Sequence, residues 1–177
     1  MATEDIAVAV RRVRAVLQRR PETGLHDDAP ATVRWEGGTR MVSSHANGSR
    51  MVSDMPAEFG GSGDQVSPGW LFRAGLASCA STCIVLRAAE TGIELAALEV
   101  KASSRSDARG MLGMAEADGR PVCAGPQAMQ LQVRIAAHGV PAERLRAVVE
   151  EAVRCSPIAC ALPPPTPFGL QVEIVGT

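Results

Sequence analysis

The chain has 177 residues, 46% of them hydrophobic, enough for one well-buried core and for one domain as the expectation. Eighteen Lys and Arg against 19 Asp and Glu leave a formal net charge of −1, which excludes a general pull toward nucleic acid or an anionic membrane surface. Aromatic residues make up only 3% and tyrosine is absent, which argues against base-stacking platforms and aromatic sugar-binding grooves.

No run of residues approaches the ~18 apolar positions of a membrane span. The start, Met1-Ala2-Thr3-Glu4-Asp5, is acidic and lacks the basic region of a secretory signal, so a cytoplasmic location is expected. Five cysteines are an odd number, with no C-x-x-C pair, and in a reducing compartment they stay mostly free. His26, His45 and His138 show no ligand spacing to one another or to the cysteines, so neither a metal nor another cofactor is expected.

Ile6 to Arg20 has the pattern of an amphipathic helix, with Val10, Val13 and Leu17 on one face and five arginines on the rest. It reads as a surface helix packed on the body or on a partner subunit. Glu22 to Pro30 is a loop. Three short strands follow at about 32–36, 40–45 and 50–54, separated by the hairpin signals Gly37-Gly38 and Asn47-Gly48. Glu58-Phe59-Gly60-Gly61-Ser62-Gly63-Asp64 is a glycine-rich loop leading into a long apolar helix. Ser67 is suited to cap that helix and Pro68 to open it. The helix carries Cys79 about three turns in and ends near Gly92, a left-handed C-cap.

Beyond Gly92 the period changes. Residues 94–104 and 129–138 alternate apolar and polar, as half-buried strands do. Between them, 107–127 is rich in Gly, Met and Ala and reads as an extra strand around 110–116 plus a loop. Pro141 starts a second helix with Leu145, Val148, Val149 and Val153 on one face, ending near Cys155-Ser156-Pro157. A helical turn at 158–162, the rigid Pro163-Pro164-Pro165 run and a last strand at 171–175 complete an α+β chain. No linker separates two domains, so 1–177 is one domain: an N-terminal extension, 1–30, and a body, 31–177.

Cys79 and Cys83 are four residues apart and share a helix face. They are packing residues, or Cys79 is a redox thiol whose charge is held by a cation from among Arg34, Arg40, Arg50 and Arg73. Cys155, Ser156 and Cys160 lie near the end of the second helix, where a thiol close to Cys79 would resolve a sulfenic acid into a disulfide.

The run Glu58-Phe59-Gly60-Gly61-Ser62-Gly63, then Pro68-x-x-Leu71 and Ala77-Ser78-Cys79, resembles the OsmC/Ohr family of thiol peroxidases. So do Cys155-Ser156-Pro157-Ile158, Leu162 and a closing strand. The resemblance covers about residues 31–174. It implies an intertwined homodimer whose two central helices are buried together under wrapped sheets. That suits a helix which, apart from Arg73 and Arg87, has almost no polar face between Leu71 and Leu86. It further implies that Cys79 attacks the O–O bond of an organic hydroperoxide in an apolar interface pocket. An arginine, best placed at Arg40, would hold the thiolate, and a small thiol or dithiol would supply electrons.

Two positions depart from the family pattern. Gly69 stands where a glutamate orients the arginine, with Glu58 and Asp64 nearby as alternatives. Ser156 stands where the resolving cysteine sits, with Cys155 one residue earlier and Cys83 and Cys160 as fallbacks. Cys79, Arg40 and Cys155 are therefore the expected catalytic residues. The alternative is a catalytically degenerate member binding a small apolar ligand at the dimer interface.

Overall fold

A computed structural model describes residues 3–162. Its elements are α1 (Thr3–Arg19), β1 (Thr32–Gly37), β2 (Arg40–Ser44), β3 (Arg50–Ser53), α2 (Pro68–Glu90), β4 (Leu95–Arg105), α3 (Ala108–Met111), β5 (Gln127–Ala137), α4 (Ala142–Arg154) and α5 (Pro157–Cys160). The expected proline run and final strand lie outside the described residues.

Helix α2 organises the body. Ser67 accepts from the Trp70 amide at 3.3 Å, as an N-cap does, and Pro68 fills the first position. At the other end Gly92 has φ 71°, Ile93 N donates to Ala88 O at 2.8 Å and Gly92 N to Ala89 O at 3.1 Å. This is a Schellman stop, and it turns Ile93 into the core beside Ala88, Leu145 and Val148. The buried stripe of α2 is Leu76, Ala80, Ile84 and Ala88, one residue every four. Antiparallel β4 and β5 pair from Leu95↔Ala137 to Arg105↔Gln127, and β4 packs on α2 beside α4 and α5.

Beyond that stripe α2 is only partly covered. Trp70, Phe72 and Leu86 are exposed, an unusual state for the most apolar helix of a chain. By length and composition α2 is apolar enough to cross a membrane, although the sequence reading found no such run. Ser78, Ser81 and Thr82 count little against it, and Ser81 and Thr82 return their hydroxyls to the helix carbonyls of Ala77 and Ser78. It packs on α1, β4, α4 and α5.

Strands β1, β2 and β3 form a separate antiparallel sheet in sequence order. The hairpin β1–β2 turns at Gly37-Gly38, with φ 109° and 55°, values glycine adopts without strain. This sheet packs at most marginally on the body, and Val33, Trp35 and Met51 are exposed on it.

One expectation needs correction and another is met. The stretch around 110–116 is not a strand. Asp107 caps the short helix α3 by accepting from Arg109 N at 2.9 Å, and the Arg109 side chain ties Asp107 to Glu116. These local polar contacts outcompete strand pairing, leaving only an Ala115↔Pro121 bridge. Helix α1 packs on α2 as expected, with Ala7 buried, while Val13 and Leu17 remain exposed on the described chain. Arg14 of α1 pairs with Glu90, which also accepts from Arg87 at 2.8 Å, and Arg87 reaches Glu151 of α4 at 2.7 Å. One charge network thus joins three helices.

Candidate active site

Cys79 lies in the middle of α2, half-buried, on the side that faces the α4–α5 junction. Gly75, one turn earlier, faces Ile158 of α5, and a Cβ there would make only an ordinary contact, 3.8 Å from Ile158 Cδ1. Helix α4 unwinds at Cys155, Ser156 takes extended backbone (φ −78°, ψ 116°), and Pro157 starts α5. Ser156 is fully buried. Its carbonyl accepts from Cys160 N at 2.9 Å, but its side chain does not cap α5. The hydroxyl instead donates to Cys79 Sγ at 3.1 Å. That places a neutral O–H donor directly on the candidate nucleophile.

Cys83 lies one turn on. Burial pushes its thiol up, the neighbouring Cys79 sulfur adds to the shift, and the Ser156 hydroxyl opposes it. Cys155 is exposed and lines a shallow groove with Cys83, Arg14 and Arg87. Cys160 directs its sulfur to Arg154 O at 3.0 Å. At the α4–α5 junction the residue that touches Cys79 is therefore Ser156, one position after the expected Cys155.

Arg40 sits at the start of β2 in a second cluster. Its Nη2 donates to Ser62 Oγ at 2.7 Å and to Asp64, and its Nη2 and Nε approach Asp54 Oδ2 at 3.3 and 3.4 Å. Asp54 is buried at the end of β3. It accepts from Thr39 Oγ1 at 2.5 Å, Ser62 Oγ at 2.6 Å and Met55 N at 2.8 Å. Those donors, Ser62 and Thr39 first, hold its carboxyl far below the usual carboxylate range. Ser62 and Arg40 lower Asp64 as well, and Asp64 in turn raises the Arg40 guanidinium.

The glycine-rich loop makes this geometry possible. A Cβ on Gly61 would fall 1.8 Å from Met55 O, so only glycine lets the loop close and bring Ser62 onto Asp54. Sequence reasoning named Asp64 as an alternative carboxylate but missed Asp54, Thr39 and Ser62. The available signal was the loop itself: tight glycines around a serine, following an acid at a strand end.

Among the described residues, no hydrogen bond or ion pair joins the Arg40 cluster to Cys79 within one chain. Nor do three or more His, Cys, Asp or Glu among them converge as a metal site would require. A cavity of about 460 Å³ opens beside the first turn of α2, lined by Phe59, Gly69, Phe72, Arg73, Met111 and Pro126 among others.

The architecture is α+β: a long apolar helix carrying a cysteine, packed on an antiparallel pair of strands, with an arginine-bearing sheet set apart. The sequence profile of the OsmC-like proteins matches residues 61–171, and the chain belongs to that family. An OsmC-like protein from Mycoplasma pneumoniae is 14% identical, with 80% of this chain and 91% of that one aligned at a TM-score of 0.65. An organic hydroperoxide resistance protein from Legionella pneumophila is 22% identical over 79% of this chain and 92% of its own, with a TM-score of 0.54. One from Vibrio cholerae is 24% identical over 80% and 89%, with a TM-score of 0.53. At these identities the likeness is one of fold. No curated protein matches the chain.

Proposed function

We propose that the protein reduces organic hydroperoxides with Cys79 as the nucleophile. The observation that carries this is the Cys79 thiol, set half-buried on the apolar central helix of an OsmC-like fold and hydrogen-bonded by Ser156. The thiolate attacks the O–O bond, sulfur takes one oxygen, and an alcohol leaves. A thiol or dithiol then returns the cysteine to its reduced state.

Arg40 is the cation of this reading, delivered by a second copy of the chain. Two unpartnered surfaces support that arrangement. The β1–β3 sheet has little packing of its own, and the Phe72 and Leu86 side of α2 lacks a cover. Laid across the partner's α2, the sheet would bury both and carry Arg40 toward Cys79. Asp54 and Asp64 serve as the carboxylates that orient the guanidinium, a role Gly69 cannot fill. The cavity beside Phe59 and Phe72 suits the apolar part of a lipid-like or aromatic peroxide.

The test is turnover of cumene hydroperoxide with a dithiol reductant, native protein beside Cys79→Ser, with the mass in solution measured by light scattering. Turnover that vanishes in the variant, from a dimer, is the expected result. No turnover by either protein overturns the peroxidase reading and leaves an apolar ligand-binding scaffold.

A further inference from the structure

Cys79, Cys83 and the Ser156 hydroxyl lie together near the middle of α2, with Cys155 and Cys160 at the α4–α5 junction, and their geometry decides how an oxidised Cys79 is reduced. The group on its sulfur is the Ser156 hydroxyl, at 3.1 Å. A hydroxyl hydrogen-bonds a thiolate or a sulfenic acid but forms no disulfide. Cys83 is one turn along the same helix and its thiol interacts with that of Cys79, but Cα–Cβ vectors there run nearly parallel and do not converge as an unstrained S–S bond requires. Cys155 is exposed and turned to the groove against Arg14 and Arg87, and the Cys160 sulfur is engaged with Arg154 O.

We infer that Ser156 is a catalytic residue and that the protein is a single-cysteine reductase, whose Cys79 sulfenic acid is taken up by a small external thiol. This inference rests on the peroxidase reading above. The Cys79 thiolate takes the distal oxygen of ROOH; the O–O bond breaks, an S–O bond forms, and the alkoxide leaves and is protonated by water. A small thiol then attacks the sulfenic acid sulfur, forming a mixed disulfide and releasing water. A second thiolate attacks that disulfide, which returns Cys79 as a thiolate and leaves the external thiol oxidised. Over the cycle the hydroperoxide gains two electrons and two external thiols lose them. Ser156 donates to the attacking sulfur in the first step and to the sulfenic group it becomes, holding it until the external thiol arrives.

Burial of Ser156 reinforces the assignment. A fully buried hydroxyl at a helix junction ordinarily bonds backbone, and here it could have capped α5. It points to the sulfur instead.

The test treats the full-length protein with one equivalent of cumene hydroperoxide, adds dimedone, and locates the products by peptide mass spectrometry. Stopped-flow rates of peroxide consumption are compared for native protein and Ser156→Ala. The expected result is a dimedone adduct on Cys79, with Cys83 and Cys155 left as free thiols. Ser156→Ala should consume peroxide ~10-fold more slowly, the effect of losing one hydrogen bond to a charged sulfur. Ser156→Cys should trap Cys79 in an internal disulfide and abolish the adduct.

A native Cys79–Cys83 or Cys79–Cys155 disulfide would overturn the inference while leaving the peroxidase reading intact. An unchanged rate in Ser156→Ala would overturn the role of the hydroxyl. Cys79 left unmodified by peroxide would overturn both readings. The native adduct measurement needs no variant, so a misfolded Ser156→Ala leaves the inference open to refutation.

Discussion

Gly69→Glu restores a carboxylate where the family pattern places one, and the structure predicts that it will not raise activity. Arg40 already has two carboxylates, Asp54 and Asp64, and a hydroxyl, Ser62, fixing its direction. A glutamate introduced in place of Gly69 would meet a different arginine. A Cβ built at Gly69 lies 3.6 Å from Arg73 Nη1, an ordinary contact, and an acid four residues before Arg73 is in the favourable i,i+4 order on a helix. Three small terms then stabilise the variant: helix propensity over glycine, about 0.5 kcal/mol; a negative charge in the first turn, about 0.3–1 kcal/mol; and an exposed ion pair, about 0.3–0.5 kcal/mol. Together they amount to about 1–2 kcal/mol, or roughly 2–8 °C in Tm for a chain of this size. Differential scanning calorimetry and cumene hydroperoxide kinetics on native and variant protein provide the assay. The expected outcome is a higher Tm, an unchanged kcat, and a raised KM because the new side chain enters the cavity beside Phe72. A several-fold gain in kcat would refute the reasoning, since it would mean that Asp54 and Asp64 do not orient Arg40.

Asp54→Asn tests the same cluster through pH. The native carboxyl is depressed below its ordinary value near 3.8, so its stabilising contribution is complete above that value and fades as pH falls below it. The variant should be less stable than native at neutral pH, with a gap in urea midpoint that narrows between about pH 5 and pH 2; a constant gap would show that the charge of Asp54 is not what matters. Ile84→Ala removes a side chain with no solvent exposure from the buried stripe of α2 and should cost about 2–5 kcal/mol in chemical denaturation. A loss under about 1 kcal/mol would mean that the core is not built on that stripe.

The α+β order was legible because each signal was local. Ser67-Pro68 and Gly92 bound α2, Gly37-Gly38 and Asn47-Gly48 set the hairpins, and alternation marked β4 and β5. The 107–127 segment was misread as part strand because its structure comes from one side-chain cap and one arginine shared by two acids, which periodicity does not register. The candidate site was legible in part. Cys79 and Arg40 stood out by type and setting, but the partners of each are long-range: Ser156 is 77 residues from Cys79, and Asp54 and Asp64 are 14 and 24 from Arg40. A one-residue choice between Cys155 and Ser156 at a helix end depends on where the helix unwinds. Here α4 stops at Arg154, and Pro157 forces the extended backbone that turns Ser156 inward.

The placement of the arginine's acids bears on how the site is assembled. A carboxylate on α2 would orient Arg40 only after the sheet had docked on that helix. Asp54 ends β3, Asp64 and Ser62 lie in the loop that follows, and Thr39 precedes Arg40 itself, so the whole clamp belongs to the β1–β3 unit and its own loop. The guanidinium is therefore oriented before any contact with a thiol, and the ordering cost is met within one chain. The two acids outweigh the one arginine, giving the cluster a net charge of −1. In the proposed dimer, electrostatic support for the Cys79 thiolate from this sheet is then weaker than an arginine with a single acid would give. A neutral donor fixed on the sulfur within the chain gains importance for that reason, and Ser156 is such a donor.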